Sequence, residues 1–162
     1  MAKSDKANEK THVMRLLDQA GIAYTPRYYD ASLASGTEVA AALGQSAECV
    51  FKTLVAEANT GEHFVFVIPA PETLSLKKAA KAAGVKSIAM LPQKKLLPLT
   101  GYVHGGCSPV GMKKPFPTWI DETALLTDAF FCSAGRLGAQ IGIDPEALAG
   151  YIGAQFADLT EE

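Results

Sequence analysis

The run Val50-Phe51-Lys52-Thr53-Leu54-Val55, the turn triplet Asn59-Thr60-Gly61 and the apolar run Phe64 to Pro69 constrain the fold of this 162-residue chain most strongly. Two β-forming stretches around a glycine-containing turn read as an antiparallel hairpin. One lysine, Lys52, sits inside the first strand. A charged side chain there is costly to desolvate unless a site uses it; the bland alternative is a stem that snorkels to the surface.

The rest of the chain supplies partners for that hairpin. Val13, Leu16, Leu17 and Ala20 fall at helical spacing, predicting an amphipathic helix from Thr11 to Ala20 with Gly21 as its stop. Ile22 to Tyr29 reads as an extended strand that tolerates Pro26 only at an edge or irregularity. A short helix follows from Glu38 to Leu43, with Thr37 as N-cap, and Ser46 to Glu48 turns into the Lys52 strand. Ser75 caps a helix from Leu76 to Ala83, Val85 to Met90 is a short strand, and Gln93 to Leu97 a short helix closed by Pro98. Thr118 to Ile120, Ala129 to Cys132 and Gln140 to Ile143 read as strands. Asp144-Pro145-Glu146 places a cap before a first-turn proline and starts a helix to Ile152, after which Phe156 to Leu159 closes the sheet. The expected fold class is α+β: a single compact domain with a mixed, largely antiparallel β-sheet or barrel-like core and surrounding helices. Residues 1–10, polar and charged with no apolar run, read as a flexible tail before a domain spanning 11–162.

A second chemical feature lies fifty residues after Lys52, in Thr100-Gly101-Tyr102-Val103-His104-Gly105-Gly106-Cys107-Ser108-Pro109-Val110-Gly111. Main-chain amides at a glycine pair can face a carbonyl oxygen or a phosphate, although a tight turn would also require glycine there. Cys107 is a candidate nucleophile, but no histidine and acid nearby form a relay for it. Cys49 and Cys132 read as small core residues, and no CxxC spacing suggests a disulfide framework or zinc site. His12, His63 and His104 are scattered, so neither a metal nor a cofactor is expected.

Net charge is −2, which argues against broad nucleic-acid affinity and against DNA as a partner. Its distribution is uneven. Lys77, Lys78, Lys81, Lys86, Lys94, Lys95, Lys113 and Lys114 share a segment without a single carboxylate, while the remainder holds all 17 acidic residues. That segregation suits a local positive face for a phosphate backbone, or else a set of solvated helix faces. No apolar run approaches the roughly 20 residues of a membrane helix, and the N-terminus has no apolar secretory segment, so a cytoplasmic location is expected.

The order Lys52-Thr53-Leu54, Leu76-Lys77-Lys78, Thr100-Gly101-Tyr102 and Gly105-Gly106-Cys107-Ser108-Pro109-Val110-Gly111 resembles the YbaK/EbsC family from about Val13 to Leu159. These are trans-editing aminoacyl-tRNA deacylases related to the editing domain of prolyl-tRNA synthetase. The resemblance is closest to the branch that deacylates Cys-tRNA(Pro) and Cys-tRNA(Cys). It implies catalytic roles for Lys52 and Gly105, and substrate-binding roles for Tyr29, Thr53, Gly106, Ser108, Pro109 and Ser133. In such enzymes the thiol of the substrate cysteine is thought to attack its own ester, which fits a chain without a recognisable relay. The implied partners are the aminoacyl-tRNA acceptor end and prolyl-tRNA synthetase, which would supply tRNA identity.

Two positions depart from the family pattern. Ser35 stands where an aromatic residue is usual, in a shorter loop, and Gln140 stands where an aspartate is usual. These departures leave open a deacylase for Ala-tRNA(Pro) or Ser-tRNA. The lysine-rich middle also leaves open a non-catalytic tRNA-binding partner of a synthetase.

Overall fold

The computed structural model describes residues 9–33 and 35–161; residues 1–8 of the expected tail lie outside the described residues. Thr11 caps the first helix, α1 (His12–Ala20), by accepting from the Met14 amide through its side chain. Helix α1 buries Val13, Met14 and Leu17 and ends at Gly21, whose φ of 71° a glycine adopts without strain. Strand β1 (Thr25–Tyr28) starts later than the apolar pattern suggested. Helix α2 (Gly36–Leu43) is capped by Ser35, not by Thr37 as expected. The Ser35 hydroxyl accepts from the Glu38 amide and donates to the Glu38 carboxylate. A 3₁₀ turn (Ala47–Cys49) then leads into β2, leaving Cys49 half-buried rather than in the core.

Strands β2 (Phe51–Ala58) and β3 (His63–Pro69) form the expected antiparallel hairpin, with Phe51 opposite Pro69 and Lys52 opposite Ile68. Helix α3 (Leu76–Ala83) is capped by Ser75 as expected. Strand β4 (Ile88–Met90) is only its last part of the Val85–Met90 stretch. After it comes a 3₁₀ turn (Gln93–Lys95) and helix α4 (Leu96–Thr100), which contains Pro98 instead of ending before it. Proline is tolerated there because amides in a helix's first turn have no partner within the helix. Strands β5 (Thr118–Asp121), β6 (Phe130–Ser133) and β7 (Ala139–Ile143) follow, then helix α5 (Pro145–Ile152), capped by Asp144, and β8 (Gln155–Ala157).

The fold is a mixed α+β domain with two sheets. One has the antiparallel order β1-β7-β6; the other has the order β4-β2-β3-β5-β8, antiparallel at β4-β2-β3 and parallel at β3-β5-β8. Side chains alternate across β2 and β3, so both faces of the larger sheet are covered. Phe51, Val55, Val65 and Val67 join α1 and the small sheet in one core; Ala56, Phe66 and Ile68 join α3 and Trp119 in the other. A parallel bridge between Val50 and Phe131 connects the sheets at the start of β2. That junction positions the site.

Candidate active site

A cleft of ≈ 180 Å³ opens where the two sheets meet. The hairpin strand contributes Lys52 and Thr53, the small sheet contributes Ser133 and Gln140, and the glycine-rich loop contributes His104, Gly105 and Cys107. Tyr29, just past β1, also lines it, held by its amide donating to Gly138 O at 3.0 Å. Ser35 and Gly36, at the start of α2, form another wall. Gly36 is required by close approach: a Cβ there would lie 2.3 Å from Ala70 Cβ.

Lys52 is half-buried, and burial pulls its ammonium pKa below the ordinary lysine value while Glu72 opposes that shift. Glu72 was not singled out from sequence. The hairpin register brings it near, because Lys52 pairs with Ile68 and the Glu72 amide turns back onto Pro69 O at 3.0 Å. A pairing argument carried past Pro69 into the following turn could have found it.

The glycine-rich loop is fixed by its own contacts. The buried Tyr102 hydroxyl donates to Val110 O, and Ser108 accepts from the Val110 amide at 3.2 Å. Gly105 has a φ of 85°, a conformation that side chains rarely adopt. The Gly106 amide donates to Val103 O at 3.0 Å, so it closes a turn and has no proton left for an oxyanion. The Gly105 amide has no such partner among the described residues. Gly106 serves the site differently: a Cβ there would lie 3.1 Å from the backbone of Arg136 and Leu137, so its absence lets two walls close together.

Two other expected site residues lie away from the cleft. Ser108 is fully buried, and its hydroxyl holds the loop. Pro109 lines a separate groove with Leu16, Met112 and Phe116, because the chain dives into the core after Cys107. Cys107 itself borders the cleft, but burial pushes its thiol up to about 12, leaving it neutral and a poor nucleophile.

Two oxygens in the cleft are orphaned. Thr53 Oγ1 and Gln140 Oε1 are buried without a hydrogen-bond partner, and both residues line this cleft. Gln140 pairs across the small sheet with Ser133, and each is 6% exposed. Buried polar atoms left unpaired are rare and costly, so a polar ligand entering here would complete their bonding. No group of three His, Cys, Asp or Glu side chains among the described residues could hold a metal. No helix among them is long and apolar enough to cross a membrane.

Comparison with known proteins shows the family of this fold. The model of the aminoacyl-tRNA editing domain matches residues 30–151. A protein of Enterococcus faecalis named as a Cys-tRNA(Pro)/Cys-tRNA(Cys) deacylase, EbsC, is 43% identical over 99% of this chain and 98% of its own length. A crystal structure described as a trans-editing enzyme for prolyl tRNA synthetase superposes with a TM-score of 0.82 at 28% identity, covering 93% of this chain and 95% of the other. A second crystal structure, of a hypothetical protein, gives a TM-score of 0.86 at 27% identity over 94% of this chain and 100% of its own. A family match across most of the chain, a relative of equal length and a shared fold converge on one conclusion: the chain belongs to the aminoacyl-tRNA editing domain family.

Proposed function

We propose that this chain is a trans-editing aminoacyl-tRNA deacylase that removes cysteine from mischarged Cys-tRNA(Pro). The observation that carries the reading is the composition of the cleft. A half-buried lysine, an uncommitted glycine amide and two orphan acceptors surround one space, and the cysteine beside them is too basic to act as a nucleophile. Such a site positions and stabilises charge, and the substrate brings its own nucleophile.

The step proceeds as follows. The cysteinyl sulfur attacks its own ester carbonyl; a C–S bond forms, the C–O bond to the terminal ribose breaks, and the thiol proton passes to the leaving ribose oxygen. The products are a cysteine thiolactone and tRNA with a free terminal hydroxyl, and water then opens the thiolactone to cysteine. Lys52 and the Gly105 amide face the developing oxyanion, Gln140 Oε1 accepts from the substrate ammonium, and Thr53, Ser133 and Tyr29 confine the aminoacyl end. Residues 11–162 carry this activity in the cytoplasm. In this reading prolyl-tRNA synthetase supplies tRNA selection.

Gln140 favours a second reading. A neutral acceptor in the same cleft as Thr53 Oγ1 also suits a serine hydroxyl or an alanine ester, where water must attack instead. Single-turnover deacylation of Cys-, Ala- and Ser-charged tRNA(Pro), with an S-methylcysteinyl ester as control, separates the two. Cysteine-selective loss abolished by S-methylation is the expected result. Equal loss with the thiol blocked would overturn thiol attack.

A further inference from the structure

The eight lysines of the acid-free segment do not form one face. Lys78 is drawn to Asp158 at 3.0 Å and to Thr160 O at 2.7 Å. Lys114 borders the separate groove near Pro109. The other arrangement is continuous. Lys94 and Lys95 edge a groove over Pro98 and Leu99. Lys95 also edges a second groove along β4, which runs on past Ser87 to a third beside α3, edged by Lys77, Lys81 and Lys86. All five of these lysines are exposed, and none forms an ion pair among the described residues. The acidic side chain in this trough, Glu57, faces His63 at 3.2 Å.

The trough ends beside the active-site cleft. Lys95 lies in it, and the next residue, Leu96, lines the cleft. Residues 30–51, which supply other walls of the cleft, include Asp30, Glu38 and Glu48 and neither lysine nor arginine, with the Arg136 guanidinium over Tyr28 beside them. A polyanion whose end enters the cleft is therefore drawn toward the trough.

We infer that the Lys77–Lys95 trough is the docking surface for the acceptor stem of the tRNA whose charged end occupies the cleft. The inference rests on the deacylase reading and adds a direction to it. The single-stranded end passes Leu96, and the stem's phosphates lie against β4 and α3. Unpaired lysines spaced along a shallow trough suit a regularly charged backbone, read through charge rather than sequence. An acidic protein partner is the competing occupant of the same surface.

Charge reversal tests it, because these exposed side chains can be exchanged without disturbing the core. Lys81→Glu, Lys86→Glu, Lys95→Glu and the triple variant are assayed on Cys-tRNA(Pro) across a salt series, with Arg15→Glu on α1 as a control. Each trough variant should lower the slope of log KM against log salt by about 1. The triple variant should raise KM at least tenfold with kcat unchanged. A cysteinyl ester of the CCA trinucleotide, which has no stem, should be turned over equally by the wild type and the triple variant. Filter retention of uncharged tRNA reads the trough independently of turnover, so an inactive wild type would refute the deacylase reading without touching the docking test. An unchanged KM and salt slope in the triple variant, with tRNA retention also intact, would overturn the inference and return the trough to a protein partner.

Discussion

Replacing Lys52 by methionine keeps a side chain of similar length and removes only the charge. Its consequences for activity and stability have opposite signs. In the active site, a unit charge about 4 Å from the developing oxyanion, at an effective dielectric constant near 20, stabilises it by about 4 kcal/mol. Losing that term should lower kcat on Cys-tRNA(Pro) by about a thousandfold. For the fold the charge is a cost. Burial lowers the Lys52 pKa in the native state relative to the unfolded chain. Below the native value both states hold the proton and the fold bears the full cost of the half-buried charge. Between the native value and the ordinary value the unfolded chain binds more protons, so stability rises with pH; above both, the cost has gone. Lys52→Met should therefore melt at or above the wild-type temperature at pH 7 and lose the rise in stability at alkaline pH. Thermal unfolding at pH 7 and 10, beside single-turnover deacylation, measures both. Activity within tenfold of wild type would refute the electrostatic role, and a melting temperature lowered together with activity would make Lys52 a structural residue.

Three further outcomes follow from the same geometry. Glu72→Gln removes the carboxylate that opposes the downward shift of Lys52, so the alkaline limb of kcat/KM should move to lower pH; an unmoved limb would dissociate Glu72 from the site. Gly106→Ala places a methyl group 3.1 Å from the Arg136 and Leu137 backbone, an overpacking worth about 1–3 kcal/mol, or a fall in melting temperature of about 2–12 °C. Turnover should fall with it, since the shifted segment carries Leu137 of the cleft wall; unchanged melting and turnover would contradict the close approach. Cys107→Ala should retain kcat/KM within about threefold, because a thiol pushed up to about 12 is ionised in only about one molecule in ten thousand at pH 8; loss of a covalent intermediate in rapid-quench experiments would count against that.

Local rules recovered the parts of the fold that local chemistry decides. The Asn59-Thr60-Gly61 turn and its two apolar flanks specified the hairpin, and Ser75 and Asp144 cap their helices as read. Thr37 was mistaken for a cap because Ser35 and Thr37 are both plausible acceptors, and only the reach of Ser35 to the Glu38 amide separates them. The parallel pairings β3-β5 and β5-β8, and the Val50–Phe131 bridge that creates the cleft, join residues distant in sequence and leave no periodic trace. Site geometry was hidden for the same reason. Glycine at 105 and 106 looked like two equivalent amides, yet one closes a turn and one remains open. Pro109 belongs to the same loop and still faces another groove.

The most individual feature of this site is how it treats the substrate's amino acid. A carboxylate at position 140 would need a cation beside it to remain ionised in so buried a place, whereas the Gln140 amide keeps an acceptor without a charge to desolvate. That exchange gives up Coulombic attraction for the substrate ammonium and shifts selection toward contacts that read shape and hydrogen bonds. The ammonium that satisfies Gln140 is common to every aminoacyl ester, but Thr53 Oγ1 lies in the same cleft without a partner, so an amino acid whose side chain reaches it recovers a desolvation penalty that the others leave standing. Discrimination by unpaired polar groups is steeper than discrimination by a missing methylene. On the deacylase reading proposed above, neutral groups would then select the amino acid, while Lys52, at the junction of the two sheets, would supply the charge that the reaction requires.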